Sequence, residues 1–282
     1  MNIKHTSRNV CTVHFDNISA GWEFWLLNTS DRHHDSVFCD RKLEKQHLDE
    51  VVERNGMVAD YGDFFDAMQG RFDPRRSFAD LRPEYAREDY LDFVIKDAAN
   101  FYAPYAKHFL MIGKGNHEQS VLKHNGVDLV GNLVHRLNSD HGGNIQSGGY
   151  GGYIRFLFNS GKKTSKNLKY FHGAGGGGPV TKGVIQSNRQ AVIYPDADIV
   201  INGHIHEAWH VAIKREHISN KGVVYTEIQH HIRTATYKDE WQDGFDGFMV
   251  ERGNTPKPVG AYWIRFFYHS GRIETEILSA VK

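Results

Sequence analysis

The stretch HFLMIGKGNHEQS, residues 108–120, places a short apolar segment directly before a glycine-rich polar one. The apolar part, His108–Ile112, has the length and composition of a buried strand. Gly115 lacks a Cβ atom and therefore allows a tight turn and a close approach of other backbone. Asn116 and His117 are thus expected in a loop beyond the carboxyl end of a strand, where α/β folds build their sites.

Four more short apolar segments run into polar groups in the same way. These groups are Asp31-Arg32-His33, Gly62-Asp63-Phe64-Phe65-Asp66, Phe171-His172-Gly173 and Gly203-His204-Ile205-His206. In an extended chain, residues i and i+2 project to the same side, so Asp31 with His33, and His204 with His206, are expected to converge. A set of carboxylate, amide and imidazole groups suits Mn, Fe or Zn better than Ca or Mg.

The remaining pattern predicts the fold class. Buried strands alternate with helices in the first half, and antiparallel strands dominate the second half. The predicted helices are Arg41–Glu53, Glu88–Tyr102 and Gln119–Leu137, and Val10–Phe15 is predicted as an edge strand. We therefore expect an α/β protein, a four-layer α/β/β/α sandwich of two mixed sheets flanked by helices. Residues 1–282 form one domain in this interpretation, with an inserted loop at about 67–87 and a β-rich portion from about 207.

Composition limits the classes of protein and the cellular compartments that fit this sequence. The 34 Lys and Arg residues equal the 34 Asp and Glu residues, which counts against a nucleic-acid coat or tail but not against a nucleic-acid substrate. Two cysteines without a CxxC spacing give no disulfide framework. The first 17 residues lack a secretory signal and no apolar run reaches the roughly 18 residues of a membrane span. A cytoplasmic protein that does not enter the membrane is expected.

In their order along the chain, the five polar groups resemble the calcineurin-like metallophosphoesterases, whose pattern is D-x-H, G-D-x-x-D, G-N-H-E, H and G-H-x-H. The resemblance runs from Asp31 to His206, about two thirds of the chain. It implies two divalent metal ions, with Mn expected and Fe, Zn or Ni as alternatives. The implied ligands are Asp31, His33 and His206 for the first ion, Asn116, His172 and His204 for the second, and Asp63 for both. The alternative is that these histidines are unrelated surface and turn residues.

The resemblance also implies roles for three residues near the ligands. His117 would not bind metal but would act as the general acid toward the leaving oxygen, or stabilise charge there. Asp66 and Glu118 would orient ligand histidines from behind. His34 and Asp35, next to the first motif, are expected to face solvent, with a place in the lining of the site as the alternative. Gly175–Gly178 would form either a flap beside the phosphate or a plain flexible loop.

Two departures from the family pattern bear on the substrate. Ala67 stands where protein phosphatases of this family carry an Arg, which counts against a protein phosphatase. The long gap between Asp63 and Asn116 contains Arg71, Arg75 and Arg76, which would contact a polyanionic substrate or else lie in a solvated loop. The pattern is closer to the phosphodiesterase and repair-nuclease members, and the segment GAYWIRF, residues 260–266, is similar to phage-encoded ones.

The predicted function is hydrolysis of phosphodiesters by a metal-activated hydroxide, with DNA as a candidate substrate and the enzyme then a nuclease. One alternative is a phosphomonoesterase or pyrophosphatase that acts on a small nucleotide. Another is a non-catalytic binding scaffold on the same fold. The presence of Asp63, His117, His204 and His206 argues against it.

Overall fold

The structure is a computed structural model that describes residues 1–68, 81–178, 180–245 and 248–282. In chain order, the strands are β1 (Asn2–Ser7), β2 (Val10–Phe15), β3 (Glu23–Thr29), β4 (Met57–Asp60), β5 (Phe109–Ile112), β6 (Gln146–Ser147), β7 (Gly151–Asn159), β8 (Lys163–Phe171), β9 (Ile199–Asn202), β10 (Trp209–Ile218), β11 (Val224–Arg233), β12 (Gly260–His269) and β13 (Arg272–Val281). The helices are α1 (Arg41–Glu53), α2 (Tyr90–Tyr102), α3 (Asn116–Asn125), α4 (Leu129–His141), α5 (Ile185–Ile193) and α6 (Phe248–Glu251), and Pro83–Tyr85 and Ala103–His108 form 3-10 turns.

The strands form two mixed sheets. One sheet has the order β13-β12-β3-β4-β5-β6, and the other has the order β1-β2-β7-β8-β9-β11-β10. In the first sheet β3, β4, β5 and β6 run parallel, whereas β12 is antiparallel to β3. In the second sheet β9 is parallel to both of its neighbours, β8 and β11. The carboxyl ends of β3, β4 and β5 therefore meet at one edge, as do those of β8, β9 and β11.

The apolar residues of the central strands divide between two cores. In β4, Val58 packs with the cluster that includes the helices, whereas Met57 and Ala59 pack with residues of the other sheet. The same division separates Leu27 from Leu26 in β3. Alternation with a period of two residues produces this arrangement because successive strand side chains point to opposite faces. The predicted sandwich of two mixed sheets with flanking helices is confirmed.

Two predictions about individual elements are wrong. The predicted helix Gln119–Leu137 is two helices, since Gly126 ends α3 in a left-handed conformation (φ 69°) and the Asp128 side chain caps α4 by accepting from Gly131 N. The strand β2 is not at an edge, because β1 pairs with it along its outer side. The polar composition of β1 gives little sign of a strand.

The sequence also predicts an inserted loop and a single domain. Most of the loop predicted at about 67–87 lies outside the described residues, and the division into a single domain stays a prediction. Within the described ranges, no helix combines the length and apolar character needed to cross a bilayer.

Candidate metal centre

The seven predicted ligands gather where the strands of both sheets end. Asp31 and His33 follow β3, Asp63 follows β4, Asn116 begins α3 just after β5, His172 follows β8, and His204 and His206 follow β9. Ligand atoms of Asp31, His33 and His206 lie within 4.8 Å of one another, as do those of Asp63, His172 and His204. The structure therefore brings together two groups of side chains, far apart in sequence, whose spacing could hold a metal ion.

The first group is formed by one carboxylate and two imidazoles. His33 Nε2 lies 3.2 Å from His206 Nε2, and His206 Nε2 lies 3.5 Å from Asp31 Oδ1. Asp31 is fully buried, and its Oδ1 has no hydrogen-bond partner in the described part of the chain. A buried carboxylate oxygen without a donor is costly, so this atom is suited to a cation.

The second group is built around the Asn116 side chain. Its Oδ1 lies 2.8 Å from His204 Nδ1 and 3.2 Å from His172 Nε2. His172 Nε2 is also 3.2 Å from Asp63 Oδ2. Asp63 also forms a group with His33 and His117 whose ligand atoms lie within 4.8 Å of one another, so its carboxylate lies beside residues of both groups.

In both groups, the shifted pKa values of buried side chains indicate that a positive charge is stabilised there. Burial alone would raise the pKa of Asp31, but the nearby imidazoles of His206 and His172 lower that pKa to about 2. Burial would lower the pKa of His172, but Asp63 raises it to about 9. Both shifts come from buried anionic oxygens that face imidazole nitrogens. The donor set of carboxylate, amide and imidazole atoms therefore fits two divalent cations.

The predicted ligands converge because most of them have left-handed backbone conformations, not because the chain is extended there. Five of the seven ligands have left-handed φ values: Asp31 (53°), His33 (48°), Asp63 (51°), His204 (79°) and His206 (55°). The expectation that each i, i+2 pair lies in extended chain is therefore wrong. Non-glycine residues adopt this conformation only when surrounding contacts hold them there. Such contacts are present, since Asp31 N donates to Gly62 O at 2.8 Å and His33 N donates to Asp63 O at 3.1 Å.

Two glycines allow the ligand loops to approach one another. A Cβ atom on Gly115 would lie 2.0 Å from Asp63 Oδ1, and one on Gly203 would lie 2.5 Å from Asp31 Oδ2. Real Cβ atoms do not approach other atoms this closely. Glycine is therefore required at both positions by the ligands themselves, as the sequence predicts.

Replacing Gly115 with alanine should displace the Asp63 carboxylate and lower turnover about 100-fold, the usual effect of a misplacement of roughly 1 Å. Metal content per chain, measured by atomic emission, should fall below two. Gly149→Ala is the matched control, because the nearest contact of its added Cβ is 3.9 Å away. Two bound ions and normal turnover in Gly115→Ala would contradict this geometry.

His117 lies beside the ligands with one ring nitrogen turned away from them. Its Nδ1 donates to the Asp66 carbonyl, and its Nε2 lies 3.8 Å from Asp63 Oδ2. The ring centroid is 4.8 Å from that of His33. His117 also forms a group with His33 and Asp63 whose spacing would suit a metal, so its expected role as a non-ligand stays a prediction.

The two predicted supporting carboxylates have different contacts. Asp66 Oδ1 lies 2.9 Å from His33 Nδ1 and so can orient that ring. Glu118 instead accepts from the backbone N–H groups of Asp63, Phe65 and Gly115. The expected histidine partner of Glu118 is therefore replaced by backbone, and this carboxylate holds two ligand loops together. Burial and the charge of Asp63 raise the pKa of Glu118 to about 8.

The expectation that His34 and Asp35 face solvent is wrong. Both are buried, with exposed fractions of 0% and 2%. Asp35 accepts hydrogen bonds from the backbone N–H groups of Asp66 (2.6 Å) and Ala67 (2.9 Å). These hydrogen bonds hold the Asp66–Ala67 turn, in which Ala67 is left-handed with φ at 48°. A local sequence pattern cannot reveal a partner 31 residues away.

The predicted substrate-binding residues are only partly described. Arg71, Arg75 and Arg76 lie outside the described residues. The glycine-rich loop that contains Gly175–Gly178 lies beside the second ligand group, where a Cβ on Gly177 would contact Ile205 at 3.1 Å. The choice between a flap and a plain loop stays open.

No family model and no curated protein matches the sequence. Vacuolar protein sorting 29 of Entamoeba histolytica, solved with Zn²⁺, is 11% identical with a TM-score of 0.35, over 90% of this chain and 98% of that one. A predicted phosphoesterase of Streptococcus pneumoniae is 11% identical with a TM-score of 0.34, over 92% of this chain and 91% of that one. A candidate 5′-nucleotidase of Staphylococcus aureus is 14% identical with a TM-score of 0.45, over 93% of this chain and 55% of that one.

Similarities at this level of identity and TM-score carry no conclusion about activity. They also give no support to the phage-encoded side of the family. The observed sheets and the order of the ligand motifs along them are independent of these comparisons. Two mixed sheets with flanking helices, and the five motifs at the ends of their strands, are the arrangement expected from the resemblance of the sequence to the calcineurin-like metallophosphoesterases.

Proposed function

We propose that the chain is a dinuclear-metal-dependent phosphoesterase and that its substrates are phosphodiesters. The observation that carries the proposal is the pair of ligand groups on either side of Asp63. Asp31, His33 and His206 would hold one ion, Asn116, His172 and His204 would hold the other, and Asp63 would contact both. Two such ions would supply hydroxide near neutral pH and neutralise the phosphate oxygens.

Manganese is the proposed metal, with iron, zinc and nickel as alternatives. The mixed oxygen and nitrogen donors suit these ions better than calcium or magnesium. Every ligand histidine is neutral when it binds metal, which requires its other nitrogen to carry a proton. The Tyr61 carbonyl, 3.0 Å from His172 Nδ1, accepts such a proton, and Asp66 Oδ1 lies 2.9 Å from His33 Nδ1. The protein thus holds His172 in the tautomer that metal binding needs and places a carboxylate beside the corresponding nitrogen of His33.

His117 is proposed to protonate the leaving oxygen. With Nδ1–H held by the Asp66 carbonyl, Nε2 is the nitrogen that lies toward Asp63 and the ligand groups. A proton on Nε2 can then pass to an oxygen that leaves phosphorus. The position beside Asp63 is consistent with a group that acts at the reacting phosphate.

His117→Asn should lower kcat about 100-fold for an alkyl phosphodiester and less than about 10-fold for a nitrophenyl one. The asparagine amide can still donate to Asp66 O, so two ions should stay bound. The difference arises because nitrophenolate leaves without a proton, whereas an alkoxide does not. Equal losses for both leaving groups, or loss of metal, would contradict the general-acid role.

The diester preference rests on Ala67. This residue is buried, with an exposed fraction of 3%, and its methyl side chain cannot clamp a phosphate dianion. The test compares a bis-aryl phosphodiester with an aryl phosphomonoester, with and without Mn. Strong preference for the monoester would favour the phosphomonoesterase or pyrophosphatase alternative. Bound metal with no hydrolysis of either compound would favour the non-catalytic scaffold.

DNA is the proposed natural diester class, and the enzyme would then be a nuclease. The balanced charge of the chain argues for a short contact rather than a long duplex tract, because phosphate neutralisation dominates the affinity of extended DNA contacts. Adding single-stranded and duplex DNA to the same assay tests this. If aryl diesters are cleaved but neither DNA is, the nuclease assignment fails while the phosphodiesterase assignment stands.

A further inference from the structure

A segment outside all five motifs runs behind the first ligand group. It follows β11 and comprises residues 234–240. Thr236 Oγ1 donates to the carbonyl of Asp31 at 2.7 Å, and Tyr237 N donates to the same carbonyl at 3.1 Å. The segment therefore fixes the backbone of a metal ligand that is more than 200 residues away in sequence.

Lys238 of this segment is buried, with an exposed fraction of only 3%. Its Nζ lies 2.9 Å from Asp66 Oδ1 and 2.9 Å from Glu240 Oε1. Burying an ammonium group is costly unless carboxylates compensate it, and here two do. A cation in such a place needs an explanation beyond solubility or surface charge.

The explanation lies in the atom that Lys238 contacts. Asp66 Oδ1 accepts from Lys238 and also lies 2.9 Å from His33 Nδ1. One carboxylate oxygen thus contacts both the buried ammonium group and the His33 ring, so Lys238 can fix the position of Asp66 beside that ring. The other ring nitrogen, His33 Nε2, lies 3.2 Å from His206 Nε2 in the first ligand group.

We propose that Lys238 is a positioning residue that acts through Asp66 to orient His33, and that it thereby sets the affinity of the first metal site. The inference rests on the proposed dinuclear centre. It assigns Lys238 no contact with substrate. Its role is to hold one oxygen of Asp66 in place beside the His33 ring.

Lys238→Met tests this by removing the ammonium group at nearly constant side-chain length. The dissociation constant of the first Mn²⁺ should rise about 10–100-fold, the usual effect of losing a residue that supports a metal ligand. Affinity for the second Mn²⁺ should change less than about 3-fold. Calorimetric titration of the chelator-treated full-length protein measures both constants, and the electron paramagnetic resonance signal of a coupled Mn pair reports whether both ions are bound.

A double-mutant cycle separates this role from a general structural one. If Lys238 acts through Asp66, the double variant Lys238→Met/Asp66→Asn should bind the first ion about as weakly as Asp66→Asn alone. Additive losses would overturn the proposed route. Lys166→Met is the matched control, because Lys166 Nζ lies 2.9 Å from Asp198 Oδ1 in a pair that is about 20 Å from His172 along β8.

Lys238→Gln covers the case in which the methionine variant does not fold. Its amide keeps one donor for Asp66 but no charge, so the first site should weaken about 10-fold. Unchanged affinity in a folded Lys238 variant, beside a wild-type protein that binds two ions, overturns this inference alone. A wild-type protein that binds no ion overturns the proposed centre and this inference with it.

Discussion

Replacing Asp63 with asparagine is expected to lower turnover at least about 1000-fold and to leave fewer than two ions per chain. The carboxylate has a ligand atom within 4.8 Å of His33 and one within 4.8 Å of His172 and His204, so it is the predicted ligand that is close to both groups. Asparagine offers a single neutral oxygen, so both ions lose a ligand charge. Charge stabilisation by metal is worth several kcal/mol, and each 1.36 kcal/mol corresponds to about tenfold in rate.

Metal content and phosphodiester hydrolysis, measured on the same preparation, check this expectation. Asp128→Asn is the control, since Asp128 caps α4 and asparagine caps helices as well as aspartate does. The control should keep two ions and normal turnover. If Asp63→Asn retained both ions and more than about a tenth of the activity, Asp63 would not be shared between them.

The second large effect is expected on stability, from Arg32→Met. Arg32 is fully buried between two metal ligands in sequence, and it pairs with Glu44 and, at 2.6 Å, with Asp60. Its guanidinium also lies 5.3 Å from the ring centroid of Phe64. Losing the cation leaves two buried carboxylates uncompensated, so the free energy of unfolding should fall by about 3–5 kcal/mol.

The pH dependence of unfolding gives this prediction a second readout. Burial would raise the pKa of Glu44, but Arg32 and His34 lower it to about 2 from 4.5. A lowered carboxyl pKa contributes stability that is complete above the ordinary value and is lost as pH falls toward the folded value. In the wild type that loss should occur between pH 4.5 and about 2, whereas Arg32→Met should lack this component.

Arg54→Met is the matched control for Arg32→Met. Its side chain is 38% exposed, lies 3.9 Å from Glu50 and covers the ring of Trp25. Exposed pairs contribute little, so its cost should stay below about 1 kcal/mol. Urea unfolding followed by circular dichroism measures both variants. Equal stability losses in the two variants would show that the buried charge network contributes no more than a surface pair.

The gathering of the predicted ligands could be predicted from sequence because each lies within a few residues of the end of a strand. The helix α1 could be predicted to the residue for a similar reason, since Asp40 caps it and its apolar residues recur at helical spacing. Both signals are local. Both signals can therefore be recognised in the sequence without knowing the rest of the fold.

The supporting residues could not be predicted because their partners are distant. Lys238 contacts Asp66 across 172 residues, and nothing near Lys238 in sequence indicates a metal centre. The burial of Asp35 likewise depends on a turn in another loop. Contacts of this kind impose the left-handed φ values at the non-glycine ligands. The prediction from extended geometry is therefore right that these residues converge but wrong about the backbone conformation that brings them together.

The most direct measurement of the central claim is hydrolysis of bis-nitrophenyl phosphate by chelator-treated protein as Mn²⁺ is added back. We expect no hydrolysis without metal, and a rise that reaches its plateau at two ions per chain and is absent in Asp63→Asn. An absence of hydrolysis with Mn, Fe, Zn and Ni alike, in protein that binds two ions, would contradict the assignment of this site as a phosphodiesterase.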